Sequence, residues 1–169
     1  VKNGYEAMTG QINVEYVKPE DPMEMTVNLY GSTMGKFEAN ADGNIHINGN
    51  KNLSTEILAH YENNWSRHDG NGDGFQDAPR VKQYNLQNRW FWKKNNYILH
   101  AGLSLLKEER KSGQTDHAAM TNPYRINIGT DRYEAYMKHA FVLNPSHGTN
   151  IAFLGNISMH KQQAQYGIK

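Results

Sequence analysis

The chain has 169 residues and no cysteine, with 18 Lys and Arg against 17 Asp and Glu. It is long enough for one domain with a core of its own, its charge balance excludes a phosphate-tracking nucleic-acid surface, and disulfides and thiolate metal sites are impossible. No apolar run approaches the ~20 residues of a membrane-spanning helix, which leaves a β-barrel open, because barrel strands turn half their residues to a polar lumen.

A period of two runs through most of the chain, and a sustained helical stripe through none of it. Residues 25–29 set Met25, Val27 and Leu29 against Thr26 and Asn28. Residues 37–47 alternate Phe37, Ala39, Ala41, Ile45 and Ile47 with Glu38, Asn40, Asp42, Asn44 and His46. A face carrying acids, amides and a histidine along one strand has to meet water. Leu53, Thr55, Ile57, Ala59 and Tyr61 form the next apolar edge, then Tyr84, Leu86, Trp90 and Trp92 against Asn85, Gln87 and Arg89. Tyr97, Leu99, Ala101, Leu103 and Leu105 continue it, followed by runs at 133–143 and 151–159. The reading is all-β, an antiparallel up-and-down meander of about seven strands, mostly near the ~9–11 residues that cross a bilayer at a tilt.

Connections alternate in length. Residues 48–51, 93–96 and 144–148 are short and rich in Asn and Gly, which tolerate positive φ. Residues 66–82 and 107–131 read as long connections, with a tight one at 33–35. Short turns at one end and long loops at the other are the habit of an outer-membrane barrel. Tyr30, Tyr61, Trp65, Trp90, Trp92, Tyr97 and Tyr133 fall near strand ends, where Trp and Tyr favour the membrane interface. The charged run 107–111 reads as a solvated extension of its strand.

The sharpest local pattern is residues 69–77. Asp69, Asn71 and Asp73 offer side-chain oxygens at alternate positions, Gly74 sits at the sharp turn, Phe75 can offer its carbonyl, and Asp77 follows. Hard Ca²⁺ favours such closely spaced oxygens, although Arg80 stands where an EF-hand has its bidentate Glu. A hydrated loop of Asp-Gly and Asn-Gly turns explains the same residues without metal. His46, His60, His100 and His160 share the water-facing parity and could line a path for a metal chelate or haem, though no pair has tight ligand spacing and ordinary polar lining suffices. His139 lies on the opposite parity, as a strand-end residue near the interface. No nucleophile elbow, HExxH or phosphate-binding Gly loop occurs, so an enzyme is not expected. From the pattern alone a soluble β-sheet binding module with a structural calcium loop remains the alternative.

Gly4-Tyr5-Glu6-Ala7-Met8-Thr9-Gly10-Gln11-Ile12-Asn13-Val14 resembles the closing segment of the plug domain in TonB-dependent outer-membrane receptors, with Lys18-Pro19 as the exit toward a barrel. Residues 67–77 and 84–90 resemble the corresponding stretches of Bacteroidetes members of that family. The resemblance implies a division into the last plug strand and linker at 1–19 and the first part of a barrel of about 22 strands at 20–169. It implies a Gram-negative outer-membrane location and TonB-driven import of a scarce bulky nutrient such as haem, a siderophore, cobalamin or another metal chelate. The implied partners are TonB, through parts of the receptor outside this chain, a small-molecule or metal-chelate ligand, outer-membrane lipid and a surface lipoprotein. Nothing near Lys169 resembles a final barrel strand, so the resemblance implies a piece of a longer receptor.

Overall fold

A computed structural model describes residues 17–115 and 122–167; the plug-like strand expected at 1–16 lies outside them. Seven strands pair strictly in sequence order: β1 (Met25–Ser32), β2 (Lys36–His46), β3 (Leu53–Asn64), β4 (Arg80–Lys94), β5 (Tyr97–Gly113), β6 (Arg125–Asn144) and β7 (Thr149–Gly167). Every pairing is antiparallel, and β1 and β7 each pair on one side only, so the sheet is open. The expected meander is therefore the observed one.

Strands β5, β6 and β7 reach 17, 20 and 19 residues, longer than the apolar alternation indicates. Their outer halves carry charged and amide side chains, and in water the backbone ladder alone holds such a stretch in strand form. The connections read at 66–82 and 107–131 shrink accordingly. The first runs between Asn64 and Arg80, and the second between Gly113 and Arg125. The charged run 107–111 lies wholly within β5, as a strand extension.

At the other end the connections are tight. Residues 47–49 form a 3-10 turn with Asn48 at φ 52° and Gly49 at φ 71°, and Asn95 takes φ 52° between β4 and β5. Asn is among the few residues that visit this region at low cost. Between β6 and β7 the Asn144 side chain accepts from the Ser146 and His147 N–H groups, and Gly148 closes the turn at φ 65°.

Register sorts the side chains into two faces. Leu86 lies opposite Ala59 and Leu105, Leu105 opposite Tyr133, and Tyr133 opposite Met159. Each of the seven strands turns large apolar side chains to this face, β4 through even-numbered residues and the other strands through odd-numbered ones, while Leu58, Phe91, Leu106 and Leu154 fall on the opposite face. The apolar face is uncovered: Leu29, Leu103, Phe153 and Ile157 are 59–73 % exposed, and Phe91 is the one buried hydrophobic side chain among the described residues. Ring contacts mark its two ends. Phe37, Tyr61 and Tyr84 follow one another at centroid spacings of 6.3 and 5.1 Å, and Trp92, Tyr97 and Phe141 at 5.6 and 5.0 Å. Tyr84 and Trp92 share β4 and lie about 27 Å apart along it, from the rise per residue of an antiparallel strand.

Polar groups on this apolar face are satisfied within the sheet. The Asn88 amide donates to Thr55 Oγ1 (2.8 Å) and the Glu56 carbonyl (2.9 Å), and its oxygen accepts from Trp90 Nε1 (2.6 Å). Thr55 Oγ1 in turn donates to the Arg89 carbonyl (3.0 Å).

Candidate functional site: the polar face and the outer loop

On the opposite face a single transverse row crosses the sheet. Asn44 lies opposite Glu56, Glu56 opposite Arg89, Arg89 opposite Gly102, and Gly102 opposite Tyr136. Glu56 is 1 % exposed and forms an ion pair with Arg89. A buried carboxylate is tolerated only with such a partner. Gly102 leaves room for the Tyr136 ring, whose Cζ would stand 2.7 Å from a Cβ at that position.

Residues 17–24 lie across this row, held by main-chain atoms. The Asn44 amide donates to the carbonyls of Lys18 (3.3 Å), Asp21 (2.8 Å) and Pro22 (3.1 Å), and its oxygen accepts the Glu24 N–H (2.7 Å). His46 Nε2 donates to the Asp21 carbonyl (2.8 Å), and Arg89 donates to the Val17 carbonyl. Pro19 is buried, and Asp21 caps the turn by accepting the Lys18 N–H (2.9 Å). Because the contacts reach main-chain carbonyls, the sheet reads the path of this segment rather than its side chains. Sequence reading placed Asn44 and Arg89 on the water-facing parity but did not single out the row, since its members meet only through register.

The four histidines of that parity are not brought together. His46 holds Asp21, His60 Nδ1 is 2.6 Å from Asn40 Oδ1, and His100 packs its ring 5.2 Å from that of Phe91. His160 stands opposite Arg132 in the outer half of the sheet. His139, on the apolar face as its parity implies, lies within β6 and takes a 2.5 Å hydrogen bond with the Tyr97 hydroxyl.

The connection 65–79 is anchored on both sides. The Trp65 N–H donates to the Gly35 carbonyl (3.0 Å), Gln76 N–H to Gly113 (2.9 Å) and Thr115 N–H to Gly74 (2.8 Å), and Phe75 bridges Gln114. Within it, Asp69 accepts the N–H groups of Gly72 (2.8 Å) and Gly74 (2.9 Å), Asn71 that of Asp73 (3.1 Å), and Asp73 that of Phe75 (2.8 Å). Asp77 turns away to the Gly70 N–H at 2.7 Å. The oxygens at 69, 71 and 73 thus share one series of turns, and Asp69 Oδ2 also accepts the Thr115 hydroxyl (3.5 Å). Among the described residues no group of three His, Asp or Glu side chains gathers as a metal site. Any cation here would depend on Asn71 and main-chain carbonyls as well as acids.

No protein-family model, curated protein or solved structure matches the chain.

Proposed function

We propose that this chain is the plug-to-barrel junction and the first strands of a TonB-dependent outer-membrane receptor that imports a scarce bulky nutrient such as a metal chelate. The observation that carries the reading is the uncovered apolar face, edged by two aromatic lines about 27 Å apart along β4. With strands tilted by ~40° that spacing is about 20 Å, close to the ~25 Å apolar band of outer-membrane barrels. A soluble sandwich would bury such a face against a second sheet. The internal satisfaction of Asn88 and Thr55 supports lipid contact too, because a bilayer supplies no hydrogen-bond partner. So does the alternation of tight turns with longer loops, and the clasp on residues 17–24 suits a chain arriving from inside a lumen.

The test is fractionation of cells expressing the intact protein that contains this chain. Recovery in the outer membrane, with slower gel migration after boiling in SDS, is the expected result, and uptake of the cognate chelate should require TonB. Recovery of a folded protein in the soluble fraction would overturn the reading in favour of a soluble binding module.

A further inference from the structure

Asn48-Gly49 and Asn71-Gly72 are the same dipeptide in two settings. Asn48 is exposed at φ 52° in the 47–49 turn, and among the described residues no hydrogen bond engages its side chain. Asn71 is exposed too, but its side chain folds back over its own loop. Asn71 Oδ1 accepts the Asp73 N–H at 3.1 Å, and Asn71 Nδ2 donates to Asp73 Oδ2 at 3.0 Å. Between them the Gly72 N–H donates to Asp69 Oδ1 at 2.8 Å, while Asp69 Oδ2 is held by the Gly74 N–H and the Thr115 hydroxyl. An amide oxygen bonded to the N–H two residues on brings its Cγ close over the intervening nitrogen. That nitrogen belongs to a glycine at φ 71° with open space beside its Cα, so no side chain stands in the way of close approach.

We propose that Asn71 is a self-deamidating residue, with Asp69 as the base and the Asp73 N–H as the oxyanion donor. The Gly72 nitrogen gives its proton to Asp69 Oδ1 and its electron pair to Asn71 Cγ, and the negative charge that gathers on Asn71 Oδ1 meets the Asp73 N–H. Both contacts fall in the range that general-base and oxyanion catalysis need. The Cγ–Nδ2 bond then breaks, and Nδ2 leaves as ammonia with the proton that Asp69 took. Solvent water opens the resulting cyclic imide at either carbonyl, giving aspartate or isoaspartate at position 71, with nothing oxidised or reduced. The change is one-way, and it recharges the loop. A carboxylate at 71 loses the bond that Nδ2 gave Asp73 and repels that side chain instead, a repulsion that a divalent cation relieves. The inference rests on the loop alone, whether or not the apolar face meets lipid.

The experiment incubates the intact protein at mildly alkaline pH in water labelled with heavy oxygen, once folded and once in denaturant, and follows both dipeptides by peptide mass spectrometry. In denaturant the two Asn-Gly sequences should react at similar rates. In the folded protein Asn71 should take up label at least about tenfold faster than Asn48, short of the ~10²–10⁴ that a tuned general base contributes, and faster than it does in denaturant. Asp69→Ser leaves a hydroxyl that can accept the Gly72 N–H but removes the base. It should bring Asn71 down toward the rate of Asn48 and leave Asn48 unchanged. Folded Asn71 no faster than Asn48, or slower than in denaturant, overturns the proposal, because the loop's bonds would then restrain the amide rather than activate it. An Asn71 rate unmoved by Asp69→Ser overturns it as well. The wild-type comparison stands even if that variant fails to fold.

Discussion

Gly102 and Tyr136 face each other across β5 and β6 so closely that the tyrosine ring occupies the space a side chain at Gly102 would need. The pair stands in the row that also holds Arg89 and Glu56, so displacing the ring disturbs a buried ion pair as well as a packing contact. Gly102→Val is expected to destabilise the protein by ~1–3 kcal/mol, the usual cost of overpacking. Tyr136→Ala in the same background should recover part of that loss, because the clash then has no partner. Thermal melts of the two single variants and the double variant check the coupling. Strictly additive losses would mean that the two residues act independently.

Asn44 is the second point where one side chain controls a length of chain. Asn44→Ala removes a donor and an acceptor that together meet four main-chain groups of residues 18–24. At ~0.5–1.5 kcal/mol for each hydrogen bond, segment 17–24 should loosen by about 2–4 kcal/mol. Faster hydrogen exchange at the Glu24 and Asp21 amides, with β4 and β5 unchanged, is the expected signature. Asn44→Asp should rescue only the Glu24 contact, since a carboxylate accepts but does not donate. Exchange at Asp21 as slow as in wild type would show that the clasp lies elsewhere.

The two faces should differ in their tolerance of charge. Leu103 lies between Asn88 and Ala135, in the middle of the apolar face and 59 % exposed. On a lipid-facing surface Leu103→Arg should cost ~2–4 kcal/mol. Gln87, on the polar face opposite Leu58 and Ser104, should accept arginine with little effect. The amount of folded protein in the outer membrane measures the difference. If both variants assemble equally well, the apolar face does not meet lipid.

How far the sequence speaks for the fold follows from what period and register each encode. Alternation needs only neighbours on one strand, so the meander and its seven strands are legible wherever apolar residues repeat, as from Tyr97 to Leu105. It fades past Met159, where Lys161, Gln163 and Gln165 continue the parity without an apolar signal, and the ends of β5, β6 and β7 go unread for that reason. The transverse row depends on register. Arg89 and Gly102 are equally distant from the Asn95-Asn96 turn, so counting outward from that tight turn pairs them from sequence alone. Gly102 and Tyr136 are joined across the longer connection between β5 and β6, whose length gives no such count. The parity change at β4 needs no such count, because Tyr84, Leu86, Trp90 and Trp92 show it in their own alternation.

The loop at 69–77 allows the sharpest single measurement. Asp69, Asn71 and Asp73 sit in consecutive turns with their oxygens drawn toward the loop's own N–H groups, which pre-organises them at no cost to a later ligand. Acids this close repel one another, and a divalent cation relieves that repulsion. Asp77 is engaged by the Gly70 N–H and lies within 4.0 Å of His68 Nε2, so it must swing to join a coordination shell. With Arg80 where a bidentate acid would complete the set, the shell is under-filled. Calcium is therefore expected to bind only in the ~10⁻⁴–10⁻³ M range of extracellular modules. Calorimetric titration of the intact protein should give a saturable heat in that range, and Asp73→Ala should abolish it, because Asp73 both offers oxygens and fixes Asn71 and Phe75. Asp77→Asn should weaken binding less, since it keeps an oxygen and loses only charge. Identical heats for wild type and Asp73→Ala would leave the loop as a set of Asp and Asn turns, closed by its own backbone and indifferent to metal.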